Sequence, residues 1–353
     1  MSDILGFPLG TCFELQNGKA VAVQPNAMDE DVDEDNVDEI EENNREIFDS
    51  TLSQKLSHEE ILNMKHSHTS LELIENLKAN NESFSKKTKY SQAKYTKRKK
   101  KKFHRVFCVY KIDAFSLCNH LFRKNPQRIL GMRIDTFSQI LTLSNASVGS
   151  NILMIDNTHG LMAGAVIQRL EGKGSLYLLH DHISPNIELL KDFNFTEEER
   201  SCLKPIPFDN IHKEFTPTWK ESTEELSDER KKLKLKKLER HMARISYQNQ
   251  YRADFLAGNL DGLVLVCDFD AKSVLLELTK FIGGSRPIII YAEHKEQLLD
   301  CYDYCFHSSN YIFVQLTESF LREYQVLPGR MHPNMRTSGS GGFILSMIRV
   351  LDE

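Results

Sequence analysis

The chain has 353 residues, 40% hydrophobic and 27% charged, an ordinary globular composition with room for about two domains. Its 45 Lys and Arg against 50 Asp and Glu give a net charge of -5, so bulk charge does not point to a nucleic-acid partner. No stretch approaches 18 uninterrupted apolar residues, and the opening Met1-Ser2-Asp3-Ile4 has no basic or apolar leader region, so neither a membrane-spanning helix nor a signal peptide is expected.

Thr11 to Val23 alternates loosely around Asn17-Gly18, a hairpin signal. From Asp29 to Glu42, ten of fourteen residues are acidic; such a block repels itself and is expected to be disordered. Two short helices follow over 51–80, where Ser57 with Glu60 and Thr69 with Glu72 fit the capping box. Ser83 to Ile112 holds twelve Lys or Arg and no acid, centred on Lys97 to Lys102, which also reads as a nuclear-import signal. Arg105 to Ile112 alternates with Val106, Cys108, Tyr110 and Ile112 on one side, as in a strand. Seven cysteines, an odd number without a CxxC pair, point away from a disulfide framework or zinc site and toward a reducing compartment.

From Asn125 the pattern changes. Asp135 to Leu143 reads as an amphipathic helix. Short apolar runs at Ile152–Ile155, Ser175–Leu179, Gly262–Cys267, Pro287–Tyr291, Tyr311–Leu316 and Phe343–Val350 alternate with helical segments, the signature of βαβ units and a parallel sheet. The expected organisation is an N-terminal domain over 1–124 and a doubly wound α/β domain over 125–353. A polar insertion at about 193–258 carries a third charge block, eight Lys or Arg against two Glu over Glu229 to Arg244. Charge kept apart in this way favours a polyanionic partner for the basic faces.

In such a domain the first strand, its turn and the next helix form the nucleotide pocket. A pocket for S-adenosylmethionine wants D-x-G-x-G-x-G, because bare glycine lets backbone approach ligand. Here the pattern gives Asp156, Thr158, Gly160 and Met162, so one glycine of three survives and side chains are expected to fill the loop. Other chemistry is thin. His180-Asp181-His182 lacks a third ligand, Asp268 and Asp270 are ordinary strand-end carboxylates, and Cys301 and Cys305 read as buried thiols. Ser338 to Gly342 lacks the Lys-Ser/Thr of a P-loop and reads as a flexible turn. No catalytic residue and no metal site is expected.

Four segments carry a resemblance that runs in order from about Ile4 to Asp352: Ser53-Gln54-Lys55-Leu56-Ser57, Asp135-Thr136-Phe137-Ser138-Gln139-Ile140-Leu141-Thr142-Leu143, Arg286-Pro287-Ile288-Ile289-Ile290-Tyr291 and Glu323-Tyr324-Gln325-Val326-Leu327-Pro328-Gly329-Arg330-Met331-His332-Pro333. With them the chain resembles the family of non-catalytic subunits of the eukaryotic tRNA (adenine-N1)-methyltransferase, which modifies tRNA position 58. The resemblance implies a methyltransferase-like Rossmann domain, mostly parallel, after a β-barrel-like N-terminal domain of which the upstream strands are missing here. It implies a heterotetramer of two such chains and two catalytic subunits, with S-adenosylmethionine in the catalytic partner and none in this chain; the import signal at Lys97 to Lys102 makes the nucleus the expected location. Catalytic members carry Asp-Leu-Pro where this chain has Asp268-Phe269-Asp270. The resemblance places tRNA contacts at Lys94, Tyr95, Lys97, Arg98, Lys99, Lys100, Lys101 and Lys102; at Arg123, Lys124, Pro126, Gln127 and Arg128; at Arg240; and at Gln325, Arg330 and His332. Weaker matches are Arg45 and Gln54 in the linker 44–54, and His307 and Asn310 in the expected turn 306–314. Tyr95 reads as either a base-stacking ring or packing. The alternatives are an active S-adenosylmethionine-dependent RNA methyltransferase and a scaffold without RNA contacts.

Overall fold

The computed structural model describes residues 2–16, 18–23, 53–104, 106–181, 184–216, 228–326, 331–335 and 339–351, without the side chains of Ser2, His66, Lys89, Tyr90, Lys101, Gln325 and residues 228–234. The acidic run 29–42, Arg45, His182 and Arg330 lie outside the described residues. The chain divides into two units, Met1–Lys111 and Ile112–Glu353. The boundary falls one helix before the expected 124/125, because Ala114–Lys124 buries Cys118 and Leu121 in the core of the second unit.

In the first unit β1 (Cys12–Gln16) and β2 (Lys19–Val23) form the expected hairpin, with Gln16 opposite Lys19 and Gly18 at φ 77°. Helices α1 (His58–Ser67) and α2 (Ser70–Ala79) both start on complete capping boxes: the Glu60 and Glu72 amides donate to Ser57 Oγ and Thr69 Oγ1, and both carboxylates accept from the cap amides. The basic run is helix α3 (Lys89–Phe103). Strand β3 (Val106–Cys108) pairs antiparallel with β1 and ends at Cys108; Tyr110 and Ile112 are exposed rather than part of the strand. Among the described residues this gives a three-stranded antiparallel sheet, β2-β1-β3, in place of a closed barrel. A disulfide joins Cys12 to Cys108, contrary to the all-thiol expectation; strand pairing brings together cysteines separated by 96 in sequence. The other five cysteines are free and buried.

Glu14 ties the sheet to α2. It is 5% exposed, accepts from the Ser70 amide at 3.2 Å and the Ser70 hydroxyl, and takes a third bond from Gln16 Nε2 at 2.8 Å. The carboxylate therefore faces the first turn of α2, where the helix dipole favours negative charge. Burial opposes its ionisation, but the bonds from Ser70 and Gln16 outweigh burial and hold Glu14 below the usual carboxylate range.

The second unit adds α4 (Ala114–Lys124), α5 (Ile134–Leu143), β4 (Asn151–Asp156), α6 (Leu161–Leu170), β5 (Ser175–His180), the short α7 (Glu197–Ser201) and β6 (Leu203–Pro207). Then come α8 (Asp228–Leu256), β7 (Gly262–Val266), α9 (Ala271–Leu278), β8 (Pro287–Ala292), α10 (Glu296–His307), β9 (Tyr311–Glu318), the hairpin strands β10 (Tyr324–Gln325) and β11 (His332–Pro333), and β12 (Phe343–Arg349). The seven-stranded sheet runs β6-β5-β4-β7-β8-β12-β9, parallel except for β12, which is antiparallel to both neighbours. This is the doubly wound, methyltransferase-like Rossmann arrangement. Alternate residues of β4 serve the two faces. Ile152 and Met154 pack with Phe137, Ile140 and Val166, while Leu153 and Ile155 pack with Phe255, Leu275 and Leu298. Burial on both faces explains the continuous apolar runs.

β6 lies inside the stretch assigned to the polar insertion. Its sequence, Leu203-Lys204-Pro205-Ile206-Pro207, hides it, and an edge strand tolerates prolines that cannot donate to a ladder. The insertion between sheet strands is therefore 208–261, carrying the 29-residue helix α8.

A depressed carboxylate pKa contributes stability that is present at neutral pH and lost as pH falls through the folded value. Glu14→Gln is therefore expected to lower the urea midpoint of β1 and α2, read by hydrogen exchange, near pH 7. The gap to wild type should start to narrow as pH falls through the ordinary Glu range, about 4, and close only below it, where the folded Glu14 is protonated. A gap independent of pH would contradict the assignment.

Candidate functional site

The β4–α6 loop is where a doubly wound domain approaches a ligand's backbone-bound end. Asp156 closes β4 with its side chain turned into this loop. Its Oδ1 accepts from the Thr158 amide at 2.7 Å and from the Thr158 hydroxyl; its Oδ2 accepts from the Ala163 amide at 2.9 Å. Thr158 Oγ1 in turn accepts from the Met162 amide at 3.2 Å. Thr158 and Met162 are both fully buried. Burial pushes the Asp156 carboxyl above its usual value, against the pull of the Thr158 and Ala163 bonds. The donors that would meet a ligand at this turn are thus spent on the loop itself.

The surviving Gly160, and Gly164 in α6, lie against the segment after β5, a 3-10 helix over Glu188–Phe193 with Ile187 before it. A Cβ on Gly160, at φ 91°, would lie 3.0 Å from Ile187 Cα, and one on Gly164 would lie 2.6 Å from the Phe193 ring. His159 O also accepts from the Leu189 amide at 3.0 Å. The glycines therefore serve this covering segment rather than helix–strand packing. Ile187, Leu189, Leu190 and Phe193 were the available signal, an apolar cluster just before and at the start of the expected polar insertion.

The other chemical candidates resolve into structure. Asn157 Nδ2 donates to Asp268, linking the two strand-end loops, and Asp270 caps α9 by accepting from the Ser273 amide at 2.9 Å. Cys301 and Cys305 are buried in α10. Gly341 and Gly342, expected in a flexible turn, pass against Arg133 and the Tyr291 ring, where a Cβ would clash. Among the described residues, no three His, Cys, Asp or Glu gather as metal ligands.

In the first unit, Lys94, Lys97, Arg98 and Lys102 are exposed on α3, and Lys100 is partly exposed. Positions 94, 97, 98 and 102 are neighbours at helical spacing. The opposite side points inward. Tyr95 is 7% exposed, packs on Phe84 at 5.3 Å and accepts at its hydroxyl from Asn81 Nδ2 at 3.4 Å, so its ring is packing and not a base platform. Lys99 leans over Tyr95 and Phe103, 5.1 and 5.6 Å from the ring centroids; burial first, then Lys102, Arg98 and Lys87, lower its pKa. Gln54 also turns inward, donating to Leu77 O at 3.2 Å.

In the second unit, Arg123, Lys124, Pro126 and Gln127 are exposed at the end of α4, while Arg128 is engaged by Glu188 at 2.7 Å. Arg123 lies 3.7 Å from Glu323, which brings the 123–127 segment beside the β10–β11 hairpin. Gln325 pairs with His332 across that hairpin, and the exposed His332 ring bonds Pro333 O at 3.0 Å. The hairpin's base is anchored by Arg133, which binds Asp135 at 2.7 Å and Ser319 O at 3.1 Å, while Thr136 and Ser319 hydroxyls meet at 2.7 Å. Burial would raise the Asp135 pKa, but the Arg133 and Ser319 bonds hold it low. Arg240 is exposed on α8. His307 ends α10, bonded to Asp303 O at 2.9 Å, and Asn310 is exposed in the turn before β9; Tyr311 onward is strand, not turn.

A methyltransferase-like domain whose glycine loop is filled by its own side chains, on a chain that also bears a basic helix, defines a member of this fold class without the bare-glycine turn. The family model described as the Gcd10p family matches residues 1–241, and the chain belongs to that family. It is 32% identical over 379 residues to the tRNA (adenine(58)-N(1))-methyltransferase non-catalytic subunit TRM6 of Debaryomyces hansenii, covering 99% of this chain and 79% of that one. To the TRM6 subunit of Mus musculus it is 28% identical over 412 residues, covering 100% and 82%. Among solved structures it is similar to a SAM-dependent O-methyltransferase from Thermotoga maritima, with TM-score 0.47, 12% identity, and coverage of 71% of this chain and 76% of that one. It is also similar to the tRNA (m1A58) methyltransferase TrmI of Aquifex aeolicus, with TM-score 0.43, 11% identity, and coverage of 70% and 79%.

Gly164→Ala should destabilise the second unit by about 1–3 kcal/mol, because the added methyl meets a ring that is itself packed. Adding Phe193→Leu should recover most of that loss in urea unfolding. No recovery would mean that Phe193 is not what Gly164 accommodates.

Proposed function

We propose that this chain is the non-catalytic, tRNA-binding subunit of a tRNA (adenine-N1)-methyltransferase complex that forms 1-methyladenosine at position 58 of tRNA, the position in its relatives' names. The observation that carries the reading is the β4–α6 loop. Thr158 and Met162 are buried in it and Ile187 lies against Gly160, which supports a reading in which this turn does not hold S-adenosylmethionine. The methyl donor belongs instead to a catalytic partner, in a nuclear assembly of two chains of each kind.

An exposed apolar sheet edge supports a protein partner. β9 is an outer strand, and Ile312 and Phe313 on it, with Phe320 just beyond, are 46%, 70% and 78% exposed. Phe313 has φ 53° where the β9–β12 register shifts, a bulge that breaks the edge pattern. The tRNA is gripped through phosphate by Lys94, Lys97, Arg98 and Lys102 on α3, and in the second unit by Arg123, Lys124 and Arg240. Lysine and arginine contacts of this kind supply affinity that falls with salt. The lysine run in α3 is also the segment that would direct nuclear import.

Replacing Lys94, Lys97, Arg98 and Lys102 together by Ala, in the complex assembled with the catalytic subunit, removes four phosphate contacts. The log–log salt slope of tRNA binding should shrink by about 3–4 units for a duplex region. Methyl transfer at subsaturating tRNA should fall with it, whereas Lys99→Ala alone should leave the slope nearly unchanged. An unchanged slope in the fourfold variant, measured by filter binding, would reject α3 as the phosphate-binding face.

A further inference from the structure

The Cys12–Cys108 pair stands apart from the other five cysteines, which are free and buried. Cys12 is 3% exposed on the central strand of the small sheet, whereas Cys108 is partly exposed on the edge strand β3. The two are direct register partners, in a row with Phe13 opposite Phe107 and Glu14 opposite Val106. β3 has three residues and begins three positions after the end of α3 at Phe103. Besides the disulfide, β3 is held by its short ladder to β1, continued where the Val109 amide donates to Thr11 O at 3.1 Å and the Val109 carbonyl accepts from the Gly10 amide at 2.6 Å, and by the Phe13–Phe107 ring contact at 5.8 Å. Without β3 the sheet would be a lone two-stranded hairpin, which is marginal in water. A cross-link across 96 residues removes much of the chain freedom that opposes the pairing of β3.

We propose that Cys12 and Cys108 form a reversible thiol–disulfide site, exchanged with small-molecule disulfides at Cys108, whose oxidation clamps the C-terminal end of the basic helix α3 onto the sheet. Partial exposure makes the Cys108 sulfur the one that an external disulfide or thiolate reaches, and burial reserves Cys12 for the internal step. On oxidation the Cys108 thiolate attacks one sulfur of a glutathione disulfide, forming a mixed disulfide and expelling one glutathione thiolate. The Cys12 thiolate then attacks the Cys108 sulfur, closing the bond and expelling the second. Two protein thiols lose two electrons, one glutathione disulfide gains them, and the two thiol protons end on the released glutathiones. Reduction runs the same steps backward, with the incoming thiolate attacking Cys108. The inference does not rest on the tRNA reading, because neither readout below uses RNA.

The test equilibrates the full chain in oxidised or reduced glutathione, then alkylates it under denaturing conditions for intact mass. Hydrogen exchange of α3 and β3 is followed in parallel. Oxidised chain should take five alkyl groups and reduced chain seven. Exchange in β3 and the last turns of α3 should be roughly tenfold or more faster in the reduced chain. The Cys12→Ser/Cys108→Ser double variant should exchange at the reduced rate in both buffers; should it fail to fold, the wild-type comparison decides by itself. Seven alkyl groups in oxidised glutathione, or equal exchange of β3 in the two redox states, would overturn the proposal.

Discussion

The fold's functional character depends on one hydrogen-bonded cluster, the Asp156 carboxylate with the Thr158 hydroxyl and the Thr158 and Ala163 amides. In an α/β domain these are the groups that a dinucleotide or methyl donor would use to dock against bare backbone. Here a threonine hydroxyl supplies the partner, a methionine side chain fills the next position, and Ile187 closes over the glycine between them. A buried carboxylate satisfied in this way is stable only while the loop stays shut, since opening it would leave buried polar groups without partners. The domain keeps its sheet and helices, with side chains occupying the turn after β4.

Basic side chains on α3 line one side of a helix whose other side buries Tyr95, so the helix is both a packed element and a charged face. In the second unit the Arg133–Asp135–Ser319 contacts anchor the β10–β11 hairpin beside Arg123 and Lys124. Arg128, matched to Glu188, is already neutralised and contributes little to a polyanion.

The sequence made the parallel strands readable because β4, β5, β7 and β8 are buried on both faces and therefore nearly continuous in Ile, Leu and Val. Both capping boxes and the hairpin at Gly18 were legible because they are local. β6 was hidden by its prolines, and α3 by the lack of an apolar stripe in a run of lysines. The Cys12–Cys108 bond and the cover of Ile187 and Phe193 over the glycines depend on tertiary proximity, which spacing does not encode. The filled loop itself was legible from two letters, Thr158 and Met162, because glycine's value there lies in having no side chain.

The most direct measurement is isothermal calorimetry of the purified chain, free of its catalytic partner, titrated with S-adenosylmethionine. The account predicts no saturable heat up to millimolar ligand, with binding appearing only when the catalytic subunit is present. Stoichiometric uptake by the lone chain, together with transfer of a labelled methyl group to tRNA, would contradict it.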